Sequence, residues 1–167
     1  VLGPLTNPAG AEAQVVGVYS PALCEKIANV LKLLGTRRAM VVHGSGLDEI
    51  SNTGSTFVSE LCDGAVRNYV VDPRDLGYPL ADLKDIAGGT PEENAERLVR
   101  IFKGEKSRAR DLVAMNAGAA VYISGMASTL REGCVIAEGA ISSGSALEAL
   151  KTLVEENGDP ARLRRFL

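Results

Sequence analysis

The strongest constraint on this chain is a strand–helix–strand series near its start. Val15-Val16-Gly17-Val18-Tyr19 is a short apolar run bounded by turn residues, the pattern of a buried strand. Ser20-Pro21 then supplies an N-cap and a proline at the first helical position. Leu23, Ile27, Val30, Leu31 and Leu34 recur at helical spacing, so one face of the helix is apolar. Gly35 stands where that helix should stop, and Ala39-Met40-Val41-Val42 is a second buried strand. Two strands joined by one helix of this length form a parallel crossover unit, which places the chain among α/β folds.

The next signal breaks the crossover pattern. Ser55 to Leu61 and Ala65 to Val71 are β-rich, and Asp63-Gly64 lies between them. Asp-Gly between two such runs predicts an antiparallel hairpin. Helices dominate the remainder. Thr90-Pro91-Glu92-Glu93 combines a capping box with an early proline, Ala95, Leu98, Val99 and Phe102 form the apolar face, and Gly104 ends the element. A helix from about Ser107 to Ser124 carries Asn116-Ala117-Gly118-Ala119-Ala120, small residues suited to close helix packing. Ser128 and Ser143 are expected to cap two more helices, and Asp159-Pro160 opens a short final one. The result is a partial, mostly parallel sheet with an antiparallel hairpin, flanked by helices. Sheets in such domains commonly hold about five or six strands, so strands from elsewhere are expected to complete this one.

Composition excludes several classes. The 167 residues fit one domain, and 46% are apolar, enough for a core. A net charge of -3 gives no basic footprint for nucleic acid or for an anionic membrane. No run approaches the roughly 18 apolar residues of a membrane helix. Val1-Leu2-Gly3-Pro4 does not open a secretory signal. The missing initiator Met leads us to expect a truncated or cleaved terminus. Cys24, Cys62 and Cys134 are odd in number and contain no CxxC pair, and His43 is the only histidine. Reduced thiols in a cytoplasmic protein are therefore expected, with no disulfide framework or thiolate zinc site.

Chemistry is concentrated in a few segments. After Val42 comes His43-Gly44-Ser45-Gly46-Leu47-Asp48-Glu49-Ile50, a loop leaving the carboxyl edge of a strand, where open α/β sheets place ligands. The adjacent carboxylates of Asp48 and Glu49 suit Mg²⁺, which takes oxygen ligands, often one or two carboxylates plus substrate phosphates. The competing structural reading makes Asp48 a turn cap and Glu49 a solvated side chain. Gly3-Pro4-Leu5-Thr6-Asn7-Pro8 is rigid and turn-rich, suited either to a pocket wall or to an ordinary entry loop. His43 is read as a hydrogen-bonded structural residue more readily than as a base. No GxSxG elbow, P-loop or GxGxxG motif is present, so covalent catalysis and dinucleotide binding lack support.

Taken in order, LGPLTNPA at Leu2 to Ala9, QVVGVYSP, VVHGSGLDEIS, TGSTFVSEL, GGTPEENAERL and NAGAAVYISG resemble the anthranilate phosphoribosyltransferases over essentially the whole chain. Each piece is weak alone, and the ordered set is specific. The related pyrimidine nucleoside phosphorylases are less similar along these motifs. The resemblance implies the C-terminal portion of a nucleoside phosphorylase/phosphoribosyltransferase-type catalytic domain. It implies transfer of phosphoribose from phosphoribosyl pyrophosphate to the amine of anthranilate in tryptophan biosynthesis. It further implies magnesium at Asp48 and Glu49, an anthranilate path along Gly3 and Pro4, and a homodimer built largely through a helical domain. It names no general base.

The family's GTGGD donor loop, its KHGN segment and the arginine that meets anthranilate's carboxylate are absent from these residues. About half of a typical enzyme is therefore missing, including its N-terminal helical domain, and residues 1–167 alone are expected to be inactive. A relative with another acceptor, or a non-catalytic domain of the same fold, would share much of this pattern.

Overall fold

The computed structural model describes residues 2–6, 8 and 10–167, with Leu2 and Pro4 described in their backbone only. Four strands form one sheet in the order β1 (Ala13–Gly17), β2 (Arg38–Gly44), β3 (Thr56–Cys62) and β4 (Ala65–Val71). β1 and β2 pair in parallel, with Val15 opposite Met40 and Gly17 opposite Val42. The β2–β3 and β3–β4 pairs are antiparallel. Parallel pairing is thus confined to the crossover, and the hairpin supplies two antiparallel ladders. Asp63 and Gly64 turn the hairpin with φ of +46° and +79°, the left-handed pair that a two-residue turn between twisted strands demands.

Eight helices accompany the sheet among the described residues: α1 (Leu2–Leu5), α2 (Cys24–Leu33), α3 (Leu83–Ile86), α4 (Pro91–Phe102), α5 (Arg108–Ile123), α6 (Leu130–Ser142), α7 (Ser145–Asn157) and α8 (Pro160–Leu163). The crossover helix α2 covers one face, where Cys24, Ile27, Ala28 and Leu31 pack on Val16, Ala39, Val41 and Leu61. Helices α5 and α6 cover the other, where Ala114, Met115, Ala119, Ile123 and Cys134 pack on Met40, Val42 and Val58. β2 lies between both layers, which explains its unbroken apolar run. β4 is an edge strand and mostly exposed.

Several local expectations shift when tertiary packing is seen. Pro21–Leu23 forms a 3₁₀ turn ahead of α2, and Ser20 makes no side-chain capping bond there. Leu34 is 59% exposed, beyond the buried face. The caps of α6 and α7 are Thr129 and Gly144, one residue after the expected Ser128 and Ser143. Thr129 Oγ accepts from the Glu132 amide at 3.1 Å, while Ser128 donates its own amide to the Glu132 carboxylate. The small residues of α5 do allow close packing. A Cβ on Gly118 would stand 2.6 Å from the Cys134 backbone, and one on Gly133 would stand 2.3 Å from the Gly118 carbonyl. The two helices therefore cross almost backbone to backbone.

Candidate functional site

Both parallel strands end on glycine, and the loop carrying Asp48 and Glu49 lies across those two ends. A Cβ on Gly17 would fall 1.5 Å from the Asp48 carbonyl oxygen. A Cβ on Gly44 would fall 2.4 Å from the Glu49 carbonyl oxygen and 2.7 Å from the Ser51 nitrogen. Neither glycine has positive φ, so space, not backbone angle, excludes a side chain at both. The loop first doubles back through a two-residue turn. Ser45 and Gly46 have φ of +49° and +90°, while Gly44 and Leu47 exchange backbone hydrogen bonds of 2.9 and 3.0 Å. This turn delivers Asp48 and Glu49 to the carboxyl edge of the sheet.

The segment after the acidic pair is fixed by side chains. Asn116 of α5 accepts from the Ile50 amide through Oδ1 at 2.9 Å and donates Nδ2 to the Ile50 carbonyl at 2.8 Å. The Ser51 amide donates to Thr56 Oγ1 at 3.0 Å, and Asn52 Nδ2 donates to the Arg108 carbonyl at 2.8 Å. Ile50, Ser51 and Asn52 are all fully buried. The acidic pair thus projects from an anchored base. His43 is held too: its Nδ1 sits 2.8 Å from the Val18 carbonyl, in keeping with a structural role.

The carboxylates themselves carry little. Asp48 is exposed and Glu49 partly buried, and among the described residues neither lies within salt-bridge distance of a lysine or arginine. The closest polar approach to the pair is Asn116 Nδ2 to Glu49 Oε2, at 3.4 Å. Partial burial, and then the neighbouring Asp48 charge, raise the Glu49 carboxyl above its ordinary range. Two adjacent carboxylates that repel each other and lack a protein cation suit a small divalent ion. No group of three or more His, Cys, Asp or Glu side chains could hold a metal among the described residues. As two oxygen donors, Asp48 and Glu49 could supply only part of a magnesium ligand set, and phosphate oxygens and water would have to complete it.

The structure does not bring the other predicted segment to this edge. Leu2–Leu5 forms one helical turn, with the Thr6 amide on the Gly3 carbonyl at 3.2 Å. Gly3 is exposed, and the Pro4 side chain lies outside the described residues. Leu5 lines a hollow with Leu31, Leu34 and Thr36, at the end of α2 that leads into β2. That is the opposite sheet edge from Asp48 and Glu49. Sequence reasoning missed Gly17, Gly44 and Asn116 as parts of the site. Gly44 lay in the loop already singled out, whereas Gly17 fell inside the expected Val15–Tyr19 strand and Asn116 inside a helix, and neither offered a signal. The cysteines are free, with Cys24 and Cys134 buried and Cys62 partly so. No helix among the described residues is long and apolar enough to cross a membrane.

Comparison with known proteins gives the fold its relatives. The model of a glycosyl transferase family's a/b domain matches residues 1–147. The anthranilate phosphoribosyltransferase of Methanosarcina acetivorans is 56% identical over 147 residues, covering 88% of this chain and 40% of that protein. The enzyme of the same name from Methylorubrum populi is 50% identical over 155 residues, covering 92% of this chain and 46% of its own. Among solved structures, anthranilate phosphoribosyltransferase from Thermus thermophilus matches with a TM-score of 0.85 and 42% identity, over 98% of this chain and 46% of that one. The Saccharomyces cerevisiae enzyme, described in complex with PRPP and Mg, matches with a TM-score of 0.81 and 30% identity, over 93% of this chain and 45% of that one. The chain spans less than half the length of these relatives. With the family model running through all four strands and into α7, this chain belongs to the glycosyl transferase family defined by that a/b domain.

Proposed function

We propose that residues 1–167 are the C-terminal part of the α/β catalytic domain of an anthranilate phosphoribosyltransferase. The reaction moves the phosphoribosyl group of 5-phosphoribosyl 1-pyrophosphate onto the amine of anthranilate, releasing pyrophosphate, in tryptophan biosynthesis. The observation that carries this reading is the acidic loop. Asp48 and Glu49 stand on two glycine strand ends, at the carboxyl edge of the sheet, with no lysine or arginine within salt-bridge distance among the described residues. Identities of 50% and 56% to enzymes of that name give further support.

In this reading Asp48 and Glu49 hold magnesium. The bound ion would supply positive charge to the departing pyrophosphate, whose negative charge grows as the C1–oxygen bond breaks. The chain's own contribution is placement: the glycine-seated loop sets where the carboxylates stand relative to the sheet edge. The acceptor amine needs orientation more than activation, and no nucleophilic side chain is required. The preceding half of the enzyme supplies the donor loop and most acceptor contacts. Gly3 and Pro4 are assigned to the anthranilate path on the resemblance alone. Homodimer assembly and a cytoplasmic location complete the proposal.

Loss of anthranilate fluorescence with phosphoribosyl pyrophosphate and magnesium tests the reaction in the complete enzyme containing this chain. Turnover of anthranilate ahead of a panel of other amines and bases supports the reading. Preference for a different acceptor, or activity in the isolated 167 residues, overturns the corresponding part.

A further inference from the structure

Asn116 sits midway along α5 and reaches the base of the acidic loop at Ile50. Its amide engages both backbone groups of Ile50, at 2.9 and 2.8 Å, and Nδ2 also donates to the Leu112 carbonyl of its own helix at 3.0 Å. A side-chain amide nitrogen has two hydrogens. The Ile50 and Leu112 carbonyls take both, so the 3.4 Å approach to Glu49 Oε2 is a residual attraction beyond the usual range. Asn116 therefore turns the positive end of its dipole toward Glu49 without neutralising it or filling its lone pairs. A lysine at this position would quench the pair, and an alanine would leave the Ile50 amide and carbonyl without side-chain partners.

We propose that Asn116 is a positioning residue of the magnesium site: it sets the height of the acidic loop above the sheet edge through Ile50 and orients the Glu49 carboxylate, without touching the metal. This rests on the reading of Asp48 and Glu49 as metal ligands. The fixed points fit the role. Ile50 is buried in the core beneath α5 and cannot slide, and Asn116 spans 66 residues of sequence to reach it. Asp48 and Glu49 are the two residues between this clamp and the turn at Ser45-Gly46 that bear carboxylates.

The test compares wild type, Asn116→Ala and the paired Asp48→Ala/Glu49→Ala variant in the complete enzyme. The readouts are the magnesium concentration for half-maximal rate, the KM for anthranilate and thermal stability. Removing a partner that orients a ligand commonly costs about 10- to 100-fold in metal affinity. Asn116→Ala should raise the magnesium requirement at least about tenfold, leave the anthranilate KM unchanged, and recover most of its kcat when magnesium is raised. An unchanged magnesium requirement, or a loss of kcat that excess magnesium does not restore, overturns the proposal for Asn116. Should Asn116→Ala not fold, Asn116→Ser keeps a polar side chain on α5 that is too short to engage both backbone groups of Ile50. It should raise the magnesium requirement in the same way, and an unchanged requirement overturns the proposal equally. If the paired variant keeps the wild-type magnesium requirement, the metal reading itself falls, which separates the two failures.

Discussion

Substituting Gly17 with alanine should move the acidic loop more than any change to the loop itself. The new methyl carbon would lie 1.5 Å from the Asp48 carbonyl oxygen. A comfortable carbon–oxygen contact is about 3.3 Å, so Asp48 must retreat by roughly 2 Å. Ile50 is anchored to Asn116 and buried, so the displacement cannot spread forward and falls on Asp48 and Glu49. Misplacing a reacting constellation by ~1 Å can cost ~100-fold in rate. Gly17→Ala should therefore lower kcat/KM at limiting magnesium by at least about 100-fold, which is ~2.7 kcal/mol of transition-state stabilisation. The assay is anthranilate fluorescence in the complete enzyme, titrated with magnesium. Gly139→Ala is the control: it lies in α6 with nothing within 4 Å of its added Cβ, and should leave the rate unchanged. Wild-type magnesium dependence in Gly17→Ala would refute the claim that this glycine seats the acidic loop.

Three further outcomes follow from the same contacts. Gly118→Ala should destabilise the fold by roughly 1–3 kcal/mol in urea unfolding, because overpacking at the Cys134 backbone outweighs alanine's helix preference of up to ~1 kcal/mol. Glu49→Gln should stabilise the protein at neutral pH. Burial and Asp48 raise the folded-state Glu49 carboxyl above 4.5, so the folded state binds its proton more tightly than the unfolded state. That contribution is fully present below the unfolded value and is lost as pH rises through the folded one. The gain from glutamine should accordingly shrink on acidification, as paired melting curves across pH would show, and the same substitution should weaken magnesium dependence. Tyr69→Phe and Tyr122→Phe each delete a hydroxyl donating to Glu60, at 2.6 and 2.8 Å, and each should cost about 1.5–3 kcal/mol in unfolding measurements.

Elements written by local signals were legible in the sequence. The crossover, the hairpin at Asp63-Gly64, the capping box at Thr90 and the start of α5 near Ser107 all arise from residues within a few positions of one another. The acidic loop was legible for the same reason, since a glycine-containing loop after a buried strand falls at the sheet edge. What depends on distant contacts was not legible. Gly17 reads as an ordinary strand residue until the Asp48 backbone is laid over it, and Asn116 reads as a helix residue until Ile50 is seen beside it. Thr129 took the cap of α6 from its neighbour Ser128, while Ser143 closes α6 and the left-handed Gly144 makes the turn into α7. Gly3 and Pro4 were tied to the site only by resemblance. The structure places their segment at the other sheet edge, where Leu5 finds apolar cover beside Leu31.

Magnesium at the acidic pair is the claim on which the mechanism turns, and manganese in its place makes it directly visible. Electron paramagnetic resonance should count the Mn²⁺ ions bound per protomer of the complete enzyme in the presence of phosphoribosyl pyrophosphate, in wild type and in Asp48→Ala/Glu49→Ala. The paired variant should lose at least one bound ion while still binding the donor. Retention of the full wild-type count at wild-type affinity would contradict a metal site at these two carboxylates.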